Sequence, residues 1–200
     1  MSGTRYERRH EVVVETADAD ATRDLGARLA SLLRAGDLVM LSGELGAGKT
    51  TLAQGVGAAM GVRGRVSSPT FIIARVHPAT ADGPDLIHVD AYRLGSLEEV
   101  DALDLDSSMD DSVTLVEWGR GKVEALSADR LEVTVDRPRG APAGGGAPAA
   151  PPDTAATCGP AGSAAPAVTD LSEADDTRRT VTVTAVGPRW GDIDLSSLTA

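Results

Sequence analysis

The chain has 200 residues, 42% of them hydrophobic and only 2% aromatic, with a formal net charge of −11. That length suits one domain with an appendage, and the core must be built from Val, Leu, Ile and Ala. The acidic balance argues against a general nucleic-acid surface, which needs basic patches to release counterions, and the single cysteine, Cys158, excludes an internal disulfide or a cysteine metal cluster.

No apolar run approaches membrane-spanning length and no signal-peptide pattern opens the chain, so a cytoplasmic protein is expected. Residues 10–15, with Val12, Val13 and Val14, read as a first strand. Residues 17–35 read as a helix, because Leu25, Leu29, Leu32 and Leu33 fall at helical spacing. Asp18 or Asp20 would cap it and Gly36 would end it. Residues 37–42 form an apolar strand, and residues 50–60 a second helix.

Between them runs Gly43-Glu44-Leu45-Gly46-Ala47-Gly48-Lys49-Thr50-Thr51. It fits the phosphate-binding pattern G-x-x-x-x-G-K-[ST], in the strand–loop–helix context the pattern requires. Backbone amides freed by the glycines can surround a diphosphate at a helix N-terminus. Lys49 would reach the terminal phosphates and the Thr50 hydroxyl would hold magnesium. The chain has only two lysines, Lys49 and Lys122. One of them stands where a compact ammonium fits and a guanidinium fork does not.

Residues 61–68 read as a loop and residues 70–76 as a strand. Residues 86–90 form the next strand, ending on Asp90. A short acidic helix is expected over residues 96–105, with Ser96 and Glu99 as a capping box. Residues 98–112 carry seven acidic side chains and no basic one, which reads first as a solvated face and second as a partner surface. Residues 113–117 are another apolar strand, ending on Glu117, with Trp118 immediately after. A short helix is expected over 121–126 and a strand over 131–136.

Residues 138–178 hold seven of the eleven prolines and little Val, Ile or Leu, as a disordered segment does. Residues 180–186 alternate as a strand again. Pairing 131–136 with 180–186 in one antiparallel hairpin makes 138–178 an insertion at its tip. The expectation is a single domain over residues 10–190, a phosphate-loop α/β mixed sheet flanked by helices. Residues 187–200 read as a tail, with Trp190 as its anchor.

Chemistry at a phosphate loop needs a further carboxylate for magnesium or its waters, and a group that orients the attacking oxygen. Asp90 and Glu117 each end an apolar strand. In an open α/β sheet, ligands gather at the carboxyl ends of the strands. If both strands run parallel to the loop's strand, both carboxylates face the phosphates. His88, within its strand, reads as a packed residue rather than a ligand. Arg93 could touch phosphate or pair with the acidic helix.

The motifs now stand together: the loop at 43–51, Ser68-Pro69-Thr70-Phe71, His88-Val89-Asp90-Ala91-Tyr92-Arg93-Leu94, and Val116-Glu117-Trp118. Their set and order resemble the TsaE family, small bacterial ATPases of tRNA threonylcarbamoyladenosine synthesis. The resemblance covers residues 10–136 and resumes at the final strand. It implies an ATP- and magnesium-dependent ATPase that acts with TsaB and TsaD, without itself transferring the threonylcarbamoyl group. Contact with tRNA would be indirect at most. Carried over by motif, Glu44, Gly46, Ala47, Gly48, Lys49, Thr50 and Thr51 would hold the nucleotide, with Trp118 beside it. Thr50 and Glu117 would bind magnesium, and Asp90 and Lys49 would serve hydrolysis. Thr70 would take a switch-like position near the γ-phosphate, and residues 18–22 would border the adenine. The 138–178 insertion departs from the family's tight hairpin.

Two other readings stay open. A small-molecule phosphotransferase would need an arginine-bearing lid, for which the region after Glu117 offers only Arg120 and Arg130. A nucleotide-dependent binding module would bind ATP without turning it over.

Overall fold

The computed structural model describes residues 9–69, 73–94, 106–138 and 177–199. Thr70, the expected helix over 96–105, most of the 138–178 insertion and Cys158 lie outside these residues. Seven strands form one mixed sheet: β1 (Arg9–Thr16), β2 (Leu38–Ser42), β3 (Ala74–His77), β4 (Asp85–Asp90), β5 (Ser112–Glu117), β6 (Arg130–Asp136) and β7 (Arg179–Val186). Their spatial order is β1-β7-β6-β2-β5-β4-β3. Strand β2 is parallel to both neighbours, β6 and β5, and β5 is parallel to β4. The β6–β7 pair is antiparallel, joining Asp136 to Thr180 and Arg130 to Val186, the hairpin expected from sequence.

Two helices, α1 (Ala19–Ala30) and α2 (Lys49–Ala59), pack on the same face. Leu25, Leu29, Leu52 and Val56 join Val39, Leu41, Leu115 and Val133 in one apolar cluster. The helices approach each other through glycine. A Cβ on Gly26 would lie 2.3 Å from the Leu52 carbonyl oxygen, and one on Gly55 2.0 Å from that of Arg23. Any side chain at either position would push the helices apart. The other face of β2, β5 and β4 buries a smaller cluster, including Met40, Ile87, Val89, Val116, Met109 and Val123. The "flanked" sheet of the sequence reading is therefore lopsided: both long helices among the described residues share one face.

The first helix is shorter than the 17–35 expected. Asp18 caps it, accepting the Ala21 N–H at 2.8 Å, but it ends at Ala30. Ser31, Leu32 and Leu33 continue in tight i→i−3 bonds to Arg28, Leu29 and Ala30. The Arg34 N–H then goes to the Asp37 carboxylate at 2.9 Å instead of to a helical carbonyl. Leucine periodicity alone carried the reading past this point, because Leu32 and Leu33 still pack against the core.

Two further differences follow from packing. The strand expected over 70–76 is β3, Ala74–His77, antiparallel to β4; Ile73 before it has φ 71°, a break that an extended strand does not allow. Residues 187–199 are anchored by Trp190, as expected, but they pack further along than a tail held at one point, through Leu195 and Leu198. Trp190 and Leu198 are fully buried, in 3₁₀ turns over Pro188–Trp190 and Leu195–Thr199. Arg189 anchors the segment with a two-pronged ion pair to Asp37, at 3.2 and 3.0 Å, and a bond to the Leu32 carbonyl at 3.0 Å.

Candidate functional site

The loop leaves β2 at Ser42 and enters α2 at Lys49. Gly48 takes φ 115° at the helix N-cap, where no side chain caps the first-turn amides. Only glycine tolerates that backbone without strain, and uncapped amides at a helix N-terminus suit an anion. Gly43, at φ 137°, lies so close to β6 that a Cβ would sit 2.2 Å from the Val135 carbonyl oxygen. The loop is thus seated on the neighbouring strand.

Lys49 is buried. Its Nζ donates to the carbonyls of Gly43 and Glu44, both at 2.9 Å, and lies 4.0 Å from the centre of the Trp118 ring. Burial pushes this ammonium below its ordinary 10.5, while the Glu117 and Asp90 carboxylates pull the other way. A cation held between backbone carbonyls and an aromatic face, and short of solvent, is poised to gain from an incoming anion.

The parallel register decides which carboxylates meet the loop. Glu117 lies opposite Leu41 of β2, and Asp90 lies opposite Glu117. Both are buried. Thr50 Oγ1 donates to Glu117 Oε1 at 2.9 Å, so the hydroxyl and carboxylate that the sequence separates by 67 residues converge. Asp90 Oδ1 accepts the Tyr92 N–H at 2.9 Å and its Oδ2 accepts the Ser68 hydroxyl at 3.3 Å. Glu44 and Gly46 are exposed, Ala47 is buried, and Thr51 is half-buried on the first turn of α2.

Trp118 has φ 61°, a left-handed conformation that is strained for a bulky residue. Its N–H donates to the Leu41 carbonyl at 3.0 Å, which pins the strand end to β2. The ring meets Tyr92 edge-on at 5.2 Å. Together they line an open depression of about 730 Å³ with Gly43, Glu44, Leu45 and Arg120. Arg93 is exposed in the 3₁₀ turn after Asp90. Arg130 pairs with Glu132 and lies opposite Leu38, at the end of β2 remote from the loop.

Two residues were missed by sequence reasoning. His88 is packed, as expected, but its Nε2 also lies 3.0 Å from Glu117 Oε1 with both side chains buried. The H-x-D spacing could have signalled this, because residues two apart on a strand share a face. Arg179 donates from Nε to the Ala47 carbonyl at 2.7 Å. No local pattern marks it.

Fold and site define a phosphate-loop α/β protein, with a buried lysine and two strand-end carboxylates at the carboxyl edge of a parallel core. A family model described as threonylcarbamoyl adenosine biosynthesis protein TsaE matches residues 16–141, and the chain belongs to that family. A Streptomyces coelicolor protein named tRNA threonylcarbamoyladenosine biosynthesis protein TsaE is 54% identical over 177 residues, 88% of this chain and 98% of the relative. A Mycobacterium tuberculosis protein of the same name is 50% identical over 123 residues, 58% of this chain and 73% of the relative. The crystal structure of Bacillus subtilis YdiB matches with a TM-score of 0.58 at 26% identity, over 92% of this chain and 90% of that one. Among the described residues no helix is long and apolar enough to cross a membrane.

Proposed function

We propose that this chain is the ATP-hydrolysing accessory component of tRNA threonylcarbamoyladenosine synthesis, a cytoplasmic protein that acts with TsaB and TsaD. The observation that carries the reading is the Thr50 Oγ1–Glu117 Oε1 contact of 2.9 Å at the mouth of the phosphate loop. Magnesium binds one or two protein oxygens and takes the rest of its shell from phosphate and water. A hydroxyl and a carboxylate converging beside a phosphate loop are such a donor pair, so the residues fit the ion. Bound magnesium would neutralise charge on the phosphates of ATP.

The chain's own residues divide the remaining work. The amides of residues 46–51 cradle the phosphates, and Lys49 exchanges its loop carbonyls for phosphate oxygens. Thr50 and Glu117 hold the metal. Asp90, steadied by Tyr92 and Ser68, orients the attacking water. Trp118 covers Lys49 and keeps bulk water from it.

The test is phosphate release from ATP by the full chain with and without TsaB and TsaD, at increasing magnesium. Magnesium-dependent release stimulated by the partners supports the reading. ATP binding with no turnover in their presence supports a binding module instead. Labelled phosphate appearing on a small acceptor supports a phosphotransferase.

A further inference from the structure

The phosphate loop is held from outside by a residue from the other end of the chain. Arg179 opens β7, 132 residues from its contact in the loop. Its Nε donates to the Ala47 carbonyl at 2.7 Å. Its Nη1 donates to the carbonyls of Thr177 and Arg178 at 2.7 and 2.8 Å. The guanidinium is therefore fixed against its own backbone while it grips the loop. Thr177 in turn donates through Oγ1 to the Ala17 carbonyl at 2.9 Å, just before α1.

The consequence lies on the opposite side of one peptide. The Ala47–Gly48 peptide is trans, so its C=O and N–H point in opposite directions. With the carbonyl turned to Arg179, the Gly48 N–H is turned away from it. A Cβ on Gly48 would lie 3.6 Å from Arg179 Nε, so the guanidinium borders this peptide closely. A charge-assisted hydrogen bond is about twice as strong as a neutral one, and a cation on the carbonyl polarises the amide and strengthens its N–H as a donor.

We infer that Arg179 is a positioning residue for nucleotide binding. It fixes the plane of the Ala47–Gly48 peptide and sharpens the Gly48 N–H toward the phosphates of a nucleoside di- or triphosphate. This rests on the reading of the loop as a nucleotide site, and goes beyond it by assigning a role to a residue outside every motif. Arg179 acts through the peptide and touches no reacting atom.

The experiment measures ADP and ATP affinity by calorimetry on the full chain, for the parent and for Arg179→Ala, Arg179→Gln and Arg179→Lys. The Gly48 amide resonance is followed by ¹H–¹⁵N NMR in the free and ADP-bound states. Removing a charged hydrogen bond to the loop is expected to weaken both nucleotides about tenfold in the Ala and Gln variants. Arg179→Lys, which keeps one charged donor, should recover part of the loss. The ADP-induced shift of the Gly48 amide should shrink in step with affinity. Should Arg179→Ala not fold, Arg179→Gln and Arg179→Lys decide by the same criteria. A lowered melting temperature with nucleotide affinity within about twofold of the parent and an unchanged Gly48 shift would overturn the inference, leaving Arg179 a clamp of the fold alone. No ADP or ATP binding by the parent would instead overturn the nucleotide reading itself.

Discussion

His88 Nε2 and Thr50 Oγ1 meet on the same oxygen, Glu117 Oε1, at 3.0 and 2.9 Å. The first is a strand-to-strand contact inside the sheet; the second reaches across from α2. A carboxylate only accepts, so His88 Nε2 carries the proton and donates it. The carboxylate proposed for magnesium is thereby held in place by a buried donor on the neighbouring strand. Partners of this kind are worth about 10- to 100-fold in metal affinity or activity. His88→Ala should raise the magnesium needed for half-maximal phosphate release by about tenfold, with His88→Gln recovering part of it as a replacement donor. An unchanged magnesium titration in His88→Ala would remove His88 from the site and leave it a core residue.

Lys49 and Asp90 should separate binding from hydrolysis. Lys49→Ala loses the buried cation and should weaken ATP by about tenfold or more. Asp90→Ala should keep ATP affinity within about threefold and lose most turnover. Calorimetry and phosphate release on the same preparations check both, and normal turnover in Asp90→Ala would take that residue out of the mechanism.

The two tryptophans are placed so differently that they report different events. Trp118 lies against the Lys49 ammonium at 4.0 Å, while Trp190 is fully buried beneath Arg189. Adding ATP should change the emission of the parent and of Trp190→Phe. It should leave Trp118→Phe silent. A nucleotide response that persists in Trp118→Phe would place the ligand elsewhere.

The Arg189–Asp37 pair should govern stability without touching the site. Both side chains are nearly buried, and breaking such a pair from one side strands the other charge, at a cost of about 3–5 kcal/mol. Arg189→Ala should lower the melting temperature sharply and leave nucleotide affinity of the folded fraction unchanged. Asp37→Asn combined with Arg189→Met should cost less than the single changes added together, since neither charge is then left alone.

His77 should make the fold acid-sensitive. Burial holds its pKa below the usual 6.5, with the Arg63 carbonyl opposing and the charges of His88 and Arg75 adding to the depression. The unfolded chain therefore takes up a proton first as pH falls. Unfolded protein binds more protons in that window, so this group's contribution to stability rises with pH and is lost progressively below 6.5. Urea unfolding at stepped pH should show the slope in the parent and a shallower one in His77→Gln.

The loop and its immediate surroundings were legible in the chain because they are local. Residues 43–51 are contiguous, and an apolar strand before them and a helix after them are written in short-range pattern. The apolar runs that end on Asp90 and Glu117 were equally plain. Helix length was not: Leu32 and Leu33 kept the spacing of α1 although the Asp37 carboxylate takes the Arg34 amide and ends the regularity. The last segment was read as a tail anchored by Trp190 alone, because no periodicity shows that Leu198 also finds a core.

By itself the sequence determined a phosphate-loop strand–helix unit, two strand-end carboxylates and a closing hairpin, and so the family to which the chain belongs. Only the tertiary structure decided that β5 lies between β2 and β4, which sets Glu117 beside the loop and Asp90 one strand further out. It also decided that His88 and Arg179 belong to the same neighbourhood. The reason is physical. Local pattern encodes which face of an element is apolar, but the order of strands in a sheet, and the contact between Arg179 and Ala47, are settled by long-range packing that leaves no periodic trace.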